Sequence, residues 1–378
     1  MDGRLDDTRG PAPVADDAHD LNIERERRRG RGSVTNASGR FEPLAKMPFD
    51  DGWQSLDELP AFKTYVQVEK PRRIITSNQS PDLGFDRSIN PYRGCEHGCI
   101  YCYARPTHAF QGLSPGLDFE TRLFVKPDAP ELLARELAAP GYEPRMIALG
   151  TNTDPYQPIE KQWQVTRRIL EVLRDAGHPV GIVTKSALVL RDLDILSDMA
   201  RKNLAKVALS VTSLDHRLAR AMEPRASTPQ RRLEAIRKLA AAGVPAAVLV
   251  APIVPAINDA EIERILDAAA AAGASEAGYI MLRMPLEIKD LFREWLREHF
   301  PDKLDHVIAL VRDLHGGKDY DPTFGKRQTG TGPYAWSIGR RFELACKRLG
   351  LNQRRARLTS AHFKRPRAVG GQLDLFAA

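Results

Sequence analysis

Asn90-Pro91-Tyr92-Arg93-Gly94-Cys95-Glu96-His97-Gly98-Cys99-Ile100-Tyr101-Cys102-Tyr103-Ala104-Arg105 holds three of the chain's four cysteines. Three thiols within eight residues make a metal-binding loop. A [4Fe–4S] cluster takes one protein ligand per iron, usually four Cys. Three ligands leave one iron with an open position, where a substrate or cofactor binds and reacts. The alternative is zinc, with His97 or the distant Cys346 as fourth ligand. Structural zinc sites pair two short knuckles, and no second knuckle is present. Gly94 and Gly98 permit the tight backbone such a loop needs, while Glu96 and His97 read as spacers.

Downstream of the loop the pattern is repetitive. Met146–Gly150, Val180–Thr184, Lys206–Val211, Ala246–Val250 and Ala277–Leu282 read as buried strands. Helices are expected over Gln162–Ala176, Val189–Lys202, Pro229–Ala242 and Asp259–Ala272, the first ending at Gly177 with Pro179 beyond. With the strand leading into the cysteines, about six βα units result, and alternation of this kind means a parallel sheet. Lys63–Val68 reads as a further short strand, residues 286 to about 315 and Tyr334–Leu349 as helical, and Gly316–Pro333 as a loop.

The chain's 378 residues suffice for one large α/β domain with tails. So few cysteines in that length make no disulfide framework, which points to a reducing compartment and a cytoplasmic protein. The N-terminus is polar and charged, unlike a signal peptide. The uncharged run Ala240–Ile257 contains Gly243, Pro245, Pro252 and Pro255, so it is no membrane helix. The net charge of +7 is concentrated in two places. One is Arg25–Arg31, inside a segment expected to be disordered from residue 1 to 60. The other is Arg354, Arg355, Arg357, Lys364, Arg365 and Arg367, in a helical and basic extension expected over 286–378. Both read either as solvated tails or as contacts to nucleic-acid phosphates.

The Cys-x-x-x-Cys-x-x-Cys spacing opening a six-unit βα pattern resembles the radical S-adenosylmethionine (SAM) superfamily, over roughly residues 85–285. Within it the chain is similar to the spore photoproduct lyase-like group. The resemblance rests on Cys99-Ile100-Tyr101-Cys102-Tyr103, Gly150-Thr151-Asn152-Thr153-Asp154-Pro155-Tyr156-Gln157-Pro158, Val183-Thr184-Lys185 and Glu223-Pro224-Arg225. More narrowly it resembles an uncharacterised bacterial branch of that group. The resemblance implies a partial (β/α)6 TIM-type barrel over residues 61–285. It also implies a [4Fe–4S] cluster on Cys95, Cys99 and Cys102, and SAM on the open iron. An external electron donor such as flavodoxin or ferredoxin is implied as well.

The same resemblance places Thr151, Asn152 and Asp154 at the amino group of SAM, against a plainer role as caps and turns. It places Lys185 at the SAM carboxylate or ribose, against a solvated loop charge, and Ser210 at the ribose. Arg225 reads as a carboxylate clamp or as a salt bridge on a helix end. Ile253, with Pro252 and Pro255, reads as an adenine floor or as core. Tyr101 is assigned to the cofactor site and, with Tyr103, to steering the radical. In spore photoproduct lyase itself a hydrogen-donor Cys lies in the segment matching Leu149–Asn152; here Gly150-Thr151 stands there. Thymine-dimer repair of the spore type is therefore not expected, and Cys346 reads as a buried structural thiol. The expected function is hydrogen abstraction by a monomeric radical SAM enzyme, with nucleic acid as substrate. The alternatives are a peptide or small-molecule substrate, or a non-catalytic iron–sulfur or zinc protein that binds nucleic acid.

Overall fold

The computed structural model describes residues 23, 25–42 and 61–366. Six parallel strands lie side by side in chain order: β1 (Arg87–Ile89), β2 (Ile147–Leu149), β3 (Val180–Thr184), β4 (Ala205–Ser210), β5 (Ala246–Ile253) and β6 (Glu276–Met281). An antiparallel strand, Ile75–Ser77, closes the outer edge of β1, and among the described residues β6 pairs with no strand on its far side. The longer helices between strands are α1 (Ala129–Ala138), α2 (Val165–Asp175), α3 (Leu193–Arg201), α4 (Pro229–Ala241) and α5 (Ile262–Ala271).

Alternation along the strands explains the shape. Outward residues such as Ile147, Ile182, Val207 and Val248 are buried under the helices in the main core. Helix α2 meets them with Val165, Ile169, Leu170 and Leu173, one face at helical spacing. Inward positions Ala148, Gly181, Ala208, Ala247 and Gly278 are small and, with larger Met146, Val183, Lys206 and Leu249, line one common cavity of about 330 Å³. Five consecutive strands sharing one lumen make the sheet a curved, open barrel of six strands.

A side sheet joins Tyr65–Val68 in parallel to Arg122–Val125, which pairs antiparallel with Tyr92–Arg93. The strand read at Lys63–Val68 is thus present but stands outside the barrel. The extension comprises α6 (Ile288–His299), α7 (Leu304–Leu314) and α8 (Gly332–Leu349). Phe292, Trp295 and Leu296 of α6 form a second core with Cys99, Ile100, Tyr101 and Met222, so the extension backs the cysteine loop. Cys346 lies in the main core, as a structural thiol should.

Two expectations about the termini are corrected. Residues 25–42 are not a free tail: Arg31–Thr35 are buried. Polar groups dock this strap: the Gly32 and Ser33 N–H groups each donate to the Glu120 carboxylate at 2.9 Å, and the Arg31 guanidinium to Glu120 O and Phe62 O, while Val34 is buried beside them. The rest of the expected disordered segment lies outside the described residues. The C-terminal basic segment crosses the N-terminal ends of the strands, opposite the cysteine loop. Asn352 bonds both backbone groups of Ala277, Thr359 N–H donates to Asn203, and Lys364 N–H to Ala176. A Cβ on Gly177 would stand 2.1 Å from the His362 carbonyl oxygen, so this close crossing requires glycine there. Arg367 lies outside the described residues. Among the described residues no helix is long and apolar enough to cross a membrane.

Candidate active site at the cysteine loop

After β1 the chain turns through Tyr92–Arg93 into the loop, at the C-terminal end of the barrel strands, where barrel active sites form. Gly94 and Gly98 have φ of +69° and +66°, and a Cβ on either would lie 2.6 Å from Leu123 Cδ2 or Glu120 Oε2. Glycine is therefore required twice over. Arg105, fully buried, reaches back along the loop: Nε donates to Cys99 O, Nη1 to Pro115 O and Gly116 O, and Nη2 to Gly98 O and to Glu120 Oε1 at 2.5 Å. Gln157 supports the other side, accepting from Glu96 N–H and donating to Gly94 O. The loop is thus fixed by buried polar groups aimed at its own backbone.

Cys95 and Cys99 are buried and Cys102 half-buried. Burial pushes all three thiols up, Cys99 to about 12, with the Glu223 charge adding to the effect there and Lys185 opposing it. Ligation needs thiolates, so a bound cation must supply the missing positive charge. Among the described residues no group of three His, Cys, Asp or Glu side chains closes round a single metal ion. A tetrahedral zinc requires that convergence; a cluster does not, since each cysteine takes a different iron. The zinc alternative also lacks its fourth ligand. Cys346 is in another core, and His97 Nδ1 faces Asp154 Oδ2 at 3.3 Å. The donor set fits a cluster with one open iron.

Asp154 links this loop to the strand ends. Its Oδ1 accepts from Thr184 Oγ1 at 2.7 Å and from Tyr156 N–H, and its Oδ2 from Lys185 N–H at 2.7 Å. Burial alone would raise its pKa, but the His97 charge and these hydrogen bonds outweigh it and hold the carboxylate at about 2. Asn152 N–H donates to Asn90 Oδ1 at 3.0 Å, and Thr151 Oγ1 lies 3.4 Å from Asn90 Nδ2. The Lys185 ammonium sits 5.7 Å from the centre of the Tyr101 ring, and its charge bears on Cys99 and Cys102. The structure therefore brings Cys95, Cys99, Cys102, Asp154 and Lys185 to one place.

Four expected residues already have protein partners or are buried in a core. Arg225 pairs with Glu96 at 3.2 Å, and its N–H donates to His97 O. Ile253 is 0% exposed and belongs to the main core. Ser210 is buried, its hydroxyl given to Ala251 O at 3.0 Å. Tyr101 does not present its hydroxyl to the site: it donates to Glu223, which also takes Thr212 and Arg232, all of them buried. The Glu223-Pro224-Arg225 motif thus anchors the loop through Glu223. Tyr103 differs from Tyr101. It is 46% exposed, its hydroxyl bonds Thr151 O, and the Arg283 guanidinium lies 5.2 Å from its ring centre. Arg105, Glu120, Arg232 and Arg283 were not legible as site residues, because charged residues default to the surface and no local spacing marks them.

Residues 89–269 match the family model described as the radical SAM superfamily. With the fold and the loop above, the chain belongs to that superfamily and is a radical SAM enzyme. An uncharacterised protein of Mycobacterium tuberculosis is 36% identical over 242 residues, which cover 64% of this chain and 70% of the relative. One of Methanocaldococcus jannaschii is 30% identical over 192 residues, covering 51% and 69%. Among solved structures, spore photoproduct lyase complexed with dinucleoside spore photoproduct is similar in fold, with a TM-score of 0.53 at 19% identity, over 76% of this chain and 80% of that one.

Proposed function

We propose that Cys95, Cys99 and Cys102 hold a [4Fe–4S] cluster, that SAM binds its open iron at the barrel mouth, and that the substrate is a nucleic acid. When bound, the two cofactors supply reductive cleavage of the S–C5′ bond and a 5′-deoxyadenosyl radical that abstracts hydrogen. The chain's own contribution is placement. Arg105, Gln157 and Glu223 hold the loop, and Asp154 sets the spacing between loop and strand ends. Lys185 brings positive charge to the thiolates. The second core under α6 keeps water from the inner side of the loop.

The observation that carries this reading is the three-thiol loop at the C-terminal end of the strands, held by Arg105, Gln157 and Glu223. Nucleic acid is supported by the net charge of +7 and by the fold shared with a lyase solved with a dinucleoside ligand. The C-terminal basic residues do not flank the mouth, so they would grip a polymer at a distance from the chemistry. The electron enters from an external donor such as flavodoxin or ferredoxin, and the active unit is proposed to be a monomer.

Anaerobic reconstitution tests the cofactor part. Thiolate-bound iron should give a charge-transfer band near about 400 nm, and reductant with SAM should yield 5′-deoxyadenosine. Protein that takes up no iron, or that holds iron and forms no 5′-deoxyadenosine, contradicts it.

A further inference from the structure

Arg283 stands two residues past β6, at the barrel mouth, beside the loop. Its guanidinium lies between two aromatic rings, 5.2 Å from the centre of Tyr103 and 5.7 Å from that of Tyr320. Nη2 donates to Tyr320 Oη at 3.2 Å. Nε is buried and has no acceptor among the described residues, and no carboxylate there pairs with the group. Other arginines behave otherwise: Arg105 is paired with Glu120, Arg232 with Glu223, and Arg293 with Asp319. Rings hold a guanidinium in place, but they do not neutralise it. A held, planar cation with no carboxylate partner is suited to an oxyanion.

The neighbouring ring narrows the class. Tyr103 is half exposed and follows a proposed cluster ligand directly. Its hydroxyl is tied to Thr151 O, so the ring cannot swing away cheaply. A guanidinium for the backbone beside a ring for the base is the composition with which proteins hold single-stranded nucleic acid. We infer that Arg283 binds a phosphodiester oxygen of the substrate and, with Tyr103, sets the nucleotide's position over the loop. This rests on the reading of the barrel mouth as the active site. The rival oxyanion is the carboxylate of SAM.

The test uses anaerobically reconstituted protein and three probes: a dinucleoside monophosphate, an equimolar mixture of its nucleosides, and SAM. Wild type should bind the dinucleotide more tightly than the nucleosides. Arg283→Gln should lose that preference, with dinucleotide affinity falling about tenfold or more and SAM affinity staying within about twofold. Arg283→Lys keeps the charge without the planar fork, so it should fall between the two; it also serves if the Gln variant does not fold. Equal dinucleotide affinity in wild type and variant overturns the inference, as does wild type showing no preference for the phosphate. A parallel loss of SAM affinity overturns it by assigning Arg283 to the cofactor. 5′-Deoxyadenosine formation by the same wild-type sample reports separately on the proposed function, so the two failures are distinguishable.

Discussion

Asp154 was singled out as a cofactor contact and emerges as a brace. Four groups on three segments meet its two oxygens. Asp154→Asn puts an amide N–H₂ against a backbone N–H or the Thr184 hydroxyl. Leaving buried partners unsatisfied costs about 1–3 kcal/mol each. A loss of about 2–4 kcal/mol in urea denaturation is expected; an unchanged midpoint contradicts the brace. Arg225 supplies the contrast. Its pair with Glu96 is about a third exposed on the arginine side, and such pairs are worth about 1 kcal/mol or less. Arg225→Ala should leave SAM affinity unchanged and stability within that margin. A large loss of SAM affinity would restore the carboxylate clamp.

The loop is the element on which the account turns, and its stability lies in the Arg105–Glu120 pair, both members fully buried. Removing one partner of a buried pair strands the other, at about 3–5 kcal/mol. Glu120→Ala also takes the acceptor from Gly32 and Ser33, so the strap should detach with it. Limited proteolysis within residues 25–42, together with iron retention after reconstitution, reads both effects. A protected strap and full iron retention in the variant contradict this coupling. The same element shows why sequence reading ran short. The strands and helices were legible because uniformly apolar strands alternate with amphipathic helices. The strap was not, because Gly32-Ser33-Val34-Thr35-Asn36 has little apolar area to bury. It docks through backbone N–H groups onto a carboxylate some ninety residues away, and no periodicity reports that. Charged Arg105 and Arg232 likewise read as surface until the fold closes over them.

At the scale of the whole molecule, two histidines are buried neutral, His178 at the base of the barrel and His108 behind Gly94 of the loop. Burial holds His178 and His108 at about 4 against a usual 6.5, with hydrogen bonds to Pro179 O and Arg122 O opposing the shift. The unfolded chain then binds protons that the folded chain refuses. Their contribution is intact above about pH 6.5 and is lost as pH falls toward 4, by up to about 3 kcal/mol for each. Denaturation midpoints at pH 7.5 and 4.5 should differ accordingly, and His178→Gln should reduce the difference. A flat profile contradicts the burial of neutral imidazole. The C-terminal segment, which packs Phe363 edge-on against His178, belongs to the same ledger. It crosses the base of the barrel, where Asn352 and Arg355 border the cavity. The six βα units were legible in the sequence; the end of the barrel on which the basic segment lies was not, since that depends on where α8 delivers the chain.

The most direct test of the central claim is 5′-deoxyadenosine released per protein under anaerobic reduction with SAM, for wild type and for Cys99→Ala reconstituted in parallel. Wild type should take up a full cluster's iron and form 5′-deoxyadenosine, and the variant should lose both. Iron-loaded wild type that cleaves no SAM, or a Cys99→Ala protein that cleaves it as well as wild type, contradicts the account.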